Sequence, residues 1–98
     1  MTINKTLNGS NLLVELGGRL DTTTAPELES VIQGGLNDVK ELVFDFKNLE
    51  YISSAGLRVL LSAQKIMKKN GSMKIINVNE MINEIFEVTG FIDILTVE

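Results

Sequence analysis

The stretch ELVFDFKNLEYISSAGLRVLLSAQKIMKKNG, Glu41 to Gly71, passes from a strand pattern to a helix pattern through two adjacent serines. In Glu41–Phe46, Leu42, Phe44 and Phe46 alternate with Val43 and Asp45, the period of a strand whose two faces differ. Its density of apolar residues marks a central strand covered on at least one side. Beyond Ser54 the apolar spacing becomes helical: Leu57, Leu60, Leu61 and Met67 fall on one face, widened by Val59, Ala63 and Ile66. Arg58, Ser62, Lys65 and Lys69 form the polar stripe, and Asn70-Gly71 supplies the stop. The chain then re-enters a buried strand, SMKIINV at 72–78. A helix between two strands is the crossover that parallel pairing needs.

On the amino-terminal side, INKTL and NLLVEL flank Asn8-Gly9-Ser10, a turn signal that predicts a β-hairpin. After Gly17-Gly18, Thr24 and Glu27 enclose Pro26 in the form of a capping box, so a first helix is expected from about Ala25. Its apolar face is Ala25, Leu28, Val31, Ile32 and Leu36, and Gly34-Gly35 leaves its end open by several residues. On the other side, NEMINEIFEVTG at 79–90 reads as a short helix packing through Met81, Ile82, Ile85 and Phe86. DILTVE at 93–98 reads as a last strand or an extended tail. The order β β α β α β α, with or without a final strand, predicts an α/β fold. Its sheet is mixed and mostly parallel, opened by the N-terminal hairpin, with about three to four helices packed on it.

The 98 residues, 44% of them hydrophobic, suit one domain with one core, read as spanning 1–98 without linker or disordered arm. A net charge of −4 argues against nucleic acid or an anionic membrane as partner, since both require clustered base. The one such cluster, Lys65, Lys68 and Lys69, falls at a helix end, where the dipole favours cations. Without histidine or cysteine, Ser-His-Asp, Cys-His and His-ligated zinc arrangements cannot be built. Ser62 and Lys65 make a Ser-x-x-Lys pair, but on the polar stripe, and the glycine pairs are too short to cradle a nucleotide phosphate. Asp21 and Asp45, near strand ends, read as turn or capping groups. Most hydrolase readings of the serines are thereby removed and no catalytic residue, metal or cofactor is expected, while a small enzyme or ligand-binding α/β domain stays open as a rival that has no nucleophile-base pair or phosphate loop in its favour. No window approaches the roughly 20 apolar residues of a membrane span and none suits a signal peptide, so a cytoplasmic protein, monomeric when free, is expected.

A serine at a helix start often serves only as a cap, a role worth about 1 kcal/mol. Yet a helix N-terminus at the carboxyl edge of an α/β sheet also favours an anion, through unpaired N–H groups and the dipole, so a phosphate on Ser54 would be well received. LVFDFKNLEYISSAGLRVLLSAQKIMKKNGSMKIINV, at 42–78, resembles the core of the STAS domains, specifically the bacterial anti-sigma factor antagonists. LGGRLDTTTAPEL at 16–28 is similar to that family's Gly-x-Leu-Asp turn, and INEIFEVTGFIDIL at 82–95 to its closing helix. Members typically carry Asp-Ser-Ser/Thr-Gly at the start of the second helix, the serine after the Asp being phosphorylated. The resemblance places Ser54 at that acceptor position, with Ser53, which stands where the family has Asp, as secondary candidate. Ala55 replaces the second hydroxyl.

The resemblance implies a partner-switching regulator that is not an enzyme. The unmodified protein binds an anti-sigma factor with serine kinase activity and frees the sigma factor; phosphorylation at Ser54 ends the binding and a PP2C-type phosphatase restores it. The implied contact patch is Ser53, Ser54, Ala55, Gly56 and Arg58, with Asp21 and Thr22 beside it, Asp21 orienting Ser54 or the kinase's metal. Ala55 and Gly56 are expected to leave the Ser54 hydroxyl uncovered. The alternative is a non-phosphorylated STAS scaffold subunit of a signalling or transporter-associated complex.

Overall fold

In the computed structural model, which describes residues 1–98, the elements in order are β1 (Thr2–Asn8), β2 (Asn11–Leu20), α1 (Ala25–Gly35), β3 (Glu41–Ile52), α2 (Ser54–Asn70), β4 (Ser72–Ile76) and α3 (Glu80–Thr89). A short 3-10 turn, Phe91–Asp93, follows α3. The strands lie in the order β1-β2-β3-β4, with β1 antiparallel to β2 and the other two pairings parallel. The expected hairpin closes through Gly9 and Ser10, with Gly9 at φ 65°, a conformation that glycine adopts without a Cβ clash. Both crossovers, β2-α1-β3 and β3-α2-β4, step the same way across the sheet. Right-handed crossovers then put both helices on one face, and α1 does pack on α2.

β3 is longer than its alternating start predicts, reaching Ile52 beside the serines. Its register explains both the length and the lost alternation. Glu15 faces Asp45 but Gly17 faces Asn48, and Gly18 faces Leu49 but Arg19 faces Tyr51, so β3 takes up one extra residue at each of two bulges. Each extra residue moves the inward side by one place. The buried apolar positions consequently run Leu42, Phe44, Phe46, Leu49, Ile52, alternating at first and then spaced by three.

One continuous apolar core joins the layers: Leu12, Val14 and Leu16 of β2, Leu42 and Phe44 of β3, and Met73 and Ile75 of β4 meet Leu28 and Ile32 of α1 and Leu57, Leu60, Ala63 and Met67 of α2. Three expectations need correction. Thr24 does not cap α1 with its side chain; its hydroxyl turns back to donate to the Arg19 carbonyl at 2.7 Å and to accept from the Asp21 amide at 2.8 Å. Met81 is 55% exposed, because α3 turns Ile82 and Phe86 fully, and Ile85 in part, towards the core. Leu61 is only half-buried, on the flank of the α2 stripe. The C-terminal segment is an extended tail with a single parallel bridge, Val97 to Ile75, and Leu95 tucked inside.

The α1 and α2 ends meet at the opposite edge of the sheet from the serines. The Asn70 amide donates to the Leu36 carbonyl at 3.0 Å, and the Ser72 amide to the Lys40 carbonyl at 2.9 Å. A Cβ on Gly71 would run into that Lys40 carbonyl, which is backbone and cannot swing aside. Gly71→Ala is expected to lower stability by about 1–3 kcal/mol in urea unfolding. Gly34→Ala, in α1 with open space around the new methyl, is expected to raise it by about 0.5–1 kcal/mol.

Candidate functional site

β2, β3 and β4 point the same way, so their carboxyl ends share one edge, and α1 and α2 begin there. Leu20 and Ile52 are paired at that edge, and the Ser53 amide donates to the Leu20 carbonyl at 2.9 Å, tying the start of α2 to the end of β2. Ser53 is the N-cap of α2, extended at φ −102° and ψ 177°. Its carbonyl accepts from Leu57 at 2.9 Å, while its hydroxyl accepts from the Gly56 amide at 3.5 Å, a long bond.

Gly56 sets the depth of the helix start. A Cβ there would lie 2.7 Å from Leu20 Cγ and 2.8 Å from Ile52 Cγ1, so the first turn of α2 rests on the strand ends because this residue has no side chain. Residues two apart on a helix point about 200° apart, so with Gly56 facing inward Ser54 faces outward. Ser54 is exposed and its hydroxyl has no hydrogen-bond partner in the protein. Gly56 is thus buried against the sheet instead of lying open beside the hydroxyl, and only the half-buried Ala55 flanks Ser54 at the surface.

Asp21 organises the neighbouring turn. One carboxylate oxygen, Oδ1, accepts from the Thr23 hydroxyl at 2.8 Å, the Thr23 amide at 3.0 Å, and the Thr24 amide and hydroxyl at 3.2 Å each. The Asp21 carbonyl accepts from Ala25 at 2.8 Å. This carboxylate supplies the order at the start of α1 that the Thr24–Glu27 pattern predicted, and it makes no hydrogen bond to Ser53 or Ser54. Asp45 is likewise structural: buried, with Oδ1 accepting from the Lys47 amide at 2.9 Å and the Asn77 side chain at 3.0 Å.

Between α1 and α2 runs a groove of about 230 Å³, to which Thr22, Ala25 and Glu29 contribute from one side and Ala55, Arg58 and Ser62 from the other. Of the expected patch, Thr22, Ala55 and Arg58 line this groove, Ser53 and Ser54 stand at the helix start beside it, and Gly56 lies beneath. Arg19 belongs to the same edge and was not singled out from sequence. Its guanidinium lies 4.4 Å from the Tyr51 ring centre, and its Nε 3.7 Å from Asp21 Oδ2. Only the shifted register brings positions 19 and 51 together. No group of three or more acidic, His or Cys side chains is arranged to hold a metal ion.

A family model for the STAS domain matches residues 2–98. The chain belongs to the STAS domain family. This STAS domain is 33% identical over 86 residues to an anti-sigma-B factor antagonist of Staphylococcus aureus, the match covering 86% of this chain and 80% of the relative. Its fold is similar to that of an anti-sigma factor antagonist from Mycobacterium paratuberculosis, with a TM-score of 0.88 at 23% identity, covering 98% of this chain and 83% of the other. It is also similar to the Bacillus cell fate determinant SpoIIAA in its phosphorylated form, with a TM-score of 0.68 at 16% identity, covering 99% of this chain and 91% of the other. No helix of this STAS domain is long and apolar enough to cross a membrane.

The Asp21 turn has a measurable signature. The Thr23 hydroxyl, helped by the amides of Thr24 and Thr23 and the Thr24 hydroxyl, favours the ionised carboxylate against the opposing effect of desolvation and lowers its pKa below the ordinary 3.8. A lowered folded-state pKa contributes stability that is present above the unfolded value and is lost as pH falls through the folded one. Thr23→Val is expected to return the Asp21 pKa towards 3.8, read from its carboxyl carbon in an NMR titration. The same change should flatten the loss of thermal stability at acid pH.

Proposed function

We propose that this STAS domain, residues 1–98, is a cytoplasmic anti-sigma factor antagonist that works by partner switching at Ser54. Unmodified, it binds an anti-sigma factor with serine kinase activity and thereby releases a sigma factor; a PP2C-type phosphatase reverses the modification. The observation that carries this reading is the exposed, unbonded Ser54 hydroxyl at the start of α2, beside a groove rimmed by Arg58. The names of the relatives in Staphylococcus aureus and Mycobacterium paratuberculosis support it.

The chemistry is phosphoryl transfer from ATP: the Ser54 oxygen bonds to the γ-phosphorus, the anhydride bond to ADP breaks, and the hydroxyl proton leaves to a base of the kinase. Phosphoserine carries about −1.5 to −2 charges on a chain that is already at −4. Inside the domain the dianion meets the unpaired amides of the first helical turn and the positive end of the dipole. Arg58, four residues on and exposed, forms no ion pair of its own and is on the same helix face, a favourable acid-to-base spacing. The fold therefore accommodates the phosphate. The partner, closed over a small neutral hydroxyl, has to desolvate a dianion, and its affinity falls without refolding of the antagonist.

Calorimetric titration against the anti-sigma factor kinase tests the switch. Ser54→Ala is expected to bind like wild type, and Ser54→Asp at least about tenfold more weakly, equivalent to about 1.4 kcal/mol. The melting temperature of Ser54→Asp should not fall, because an acidic residue at a helix start suits the dipole. Ser53→Ala should still accept phosphate at Ser54, and its cost in stability is expected near the low end of cap replacements, about 0.5 kcal/mol, given the long Ser53–Gly56 bond. Equal binding by wild type, Ser54→Ala and Ser54→Asp, with no phosphate incorporated, would favour the scaffold-subunit reading instead.

A further inference from the structure

α3 has a fully buried apolar face and, beside it, an apolar flank that the fold uses only in part. Ile82 and Phe86 are completely buried. Beside them Met81, Ile85 and Val88, spaced four and three residues apart, form a second stripe along the helix, with Ile85 packed in part against the core. Met81 is 55% and Val88 82% exposed, and Ile85 is half-buried between them. A shallow groove of about 380 Å³ runs over these residues, bounded by Glu84 and Thr89. A helix that merely covered the sheet would carry polar groups along that flank, whereas this one keeps Met81 and Val88 in solvent on either side of Ile85.

The rim of the strip says what it is suited to. Glu80, Glu84 and Glu87 are exposed along it, no Lys or Arg occurs in α3, and none of the three glutamates is in an ion pair. Like charge disfavours a second copy docked through the same face, since each would bring its three glutamates against the other's. An anionic membrane surface is disfavoured for the same reason. We propose that this face of α3 is the docking site for a basic amphipathic helix of a protein partner, its apolar stripe on Met81, Ile85 and Val88 and its Lys and Arg residues against the glutamates. The contact uses none of the residues around Ser54, so it serves equally in the unmodified and the phosphorylated protein and does not depend on the Ser54 reading.

The test uses the full chain, labelled with nitrogen-15, and a designed helical peptide of leucine and lysine with its leucines spaced four and three apart. A peptide of the same composition in scrambled order is the control. Expected are amide shifts confined to α3 and the 3-10 turn, absent with the scrambled peptide and weakened by salt. Val88→Asp and Glu84→Lys are each expected to reduce the affinity at least tenfold; both positions are exposed, and the thermal melt checks that each variant is folded. Shifts spread over all acidic surfaces, equal response to the scrambled peptide, or unchanged affinity in Val88→Asp would overturn the proposal. So would concentration-dependent association of the protein alone that Lys65→Glu, Lys68→Glu and Lys69→Glu abolish, because α3 would then be docking the basic end of α2 in a second copy.

Discussion

The hydrogen bond from the Ser53 amide to the Leu20 carbonyl, 2.9 Å long, fixes where the second helix begins relative to the first crossover, and much of the structure follows from it. To bring Ser53 to that position β3 must take up two more residues than β2 over the same span, which it does through its two bulges. Gly56 then allows α2 to sit directly on Leu20 and Ile52, and α2 in turn carries Leu57, Leu60, Ala63 and Met67 into the core. A larger residue at position 56 would push the helix off the strand ends and loosen both layers at once.

The same constraint separates the tasks of the two serines. Ser53 is held on both sides, its amide by β2 and its carbonyl and hydroxyl by the first turn of α2, so it has become part of the scaffold. Ser54, one residue later, is turned outward by the burial of Gly56 and is bonded to nothing in the protein. Rigid backbone beneath a free hydroxyl is the arrangement that the proposed switch requires of Ser54. A phosphate there would change surface charge without requiring the core to move.

The acids near this edge have been drawn into support roles. Asp21 spends one oxygen on the turn that starts α1 and offers the other, more loosely, to Arg19. Arg19 lies on Tyr51, so the strand ends beneath both helices are joined by side chains as well as by backbone. The exposed pair of Arg19 and Asp21 adds little to stability.

Much of this was legible in the chain itself. The change of period at the serines, the Asn8-Gly9 turn and the apolar faces of α1 and α2 are local patterns, and local patterns determined the element order, the mixed sheet and the place of Ser54 at a helix start. The second half of β3 was not legible, because two bulges turn its inward positions from alternating to threefold spacing, which resembles no strand. Nor could local patterns decide that Thr24 would bend back to Arg19, that Gly56 would face the core, that Arg19 would meet Tyr51, or that Met81 would lie outside. Those outcomes depend on register and on which side of a helix meets the sheet, and only contacts between residues distant in sequence settle either.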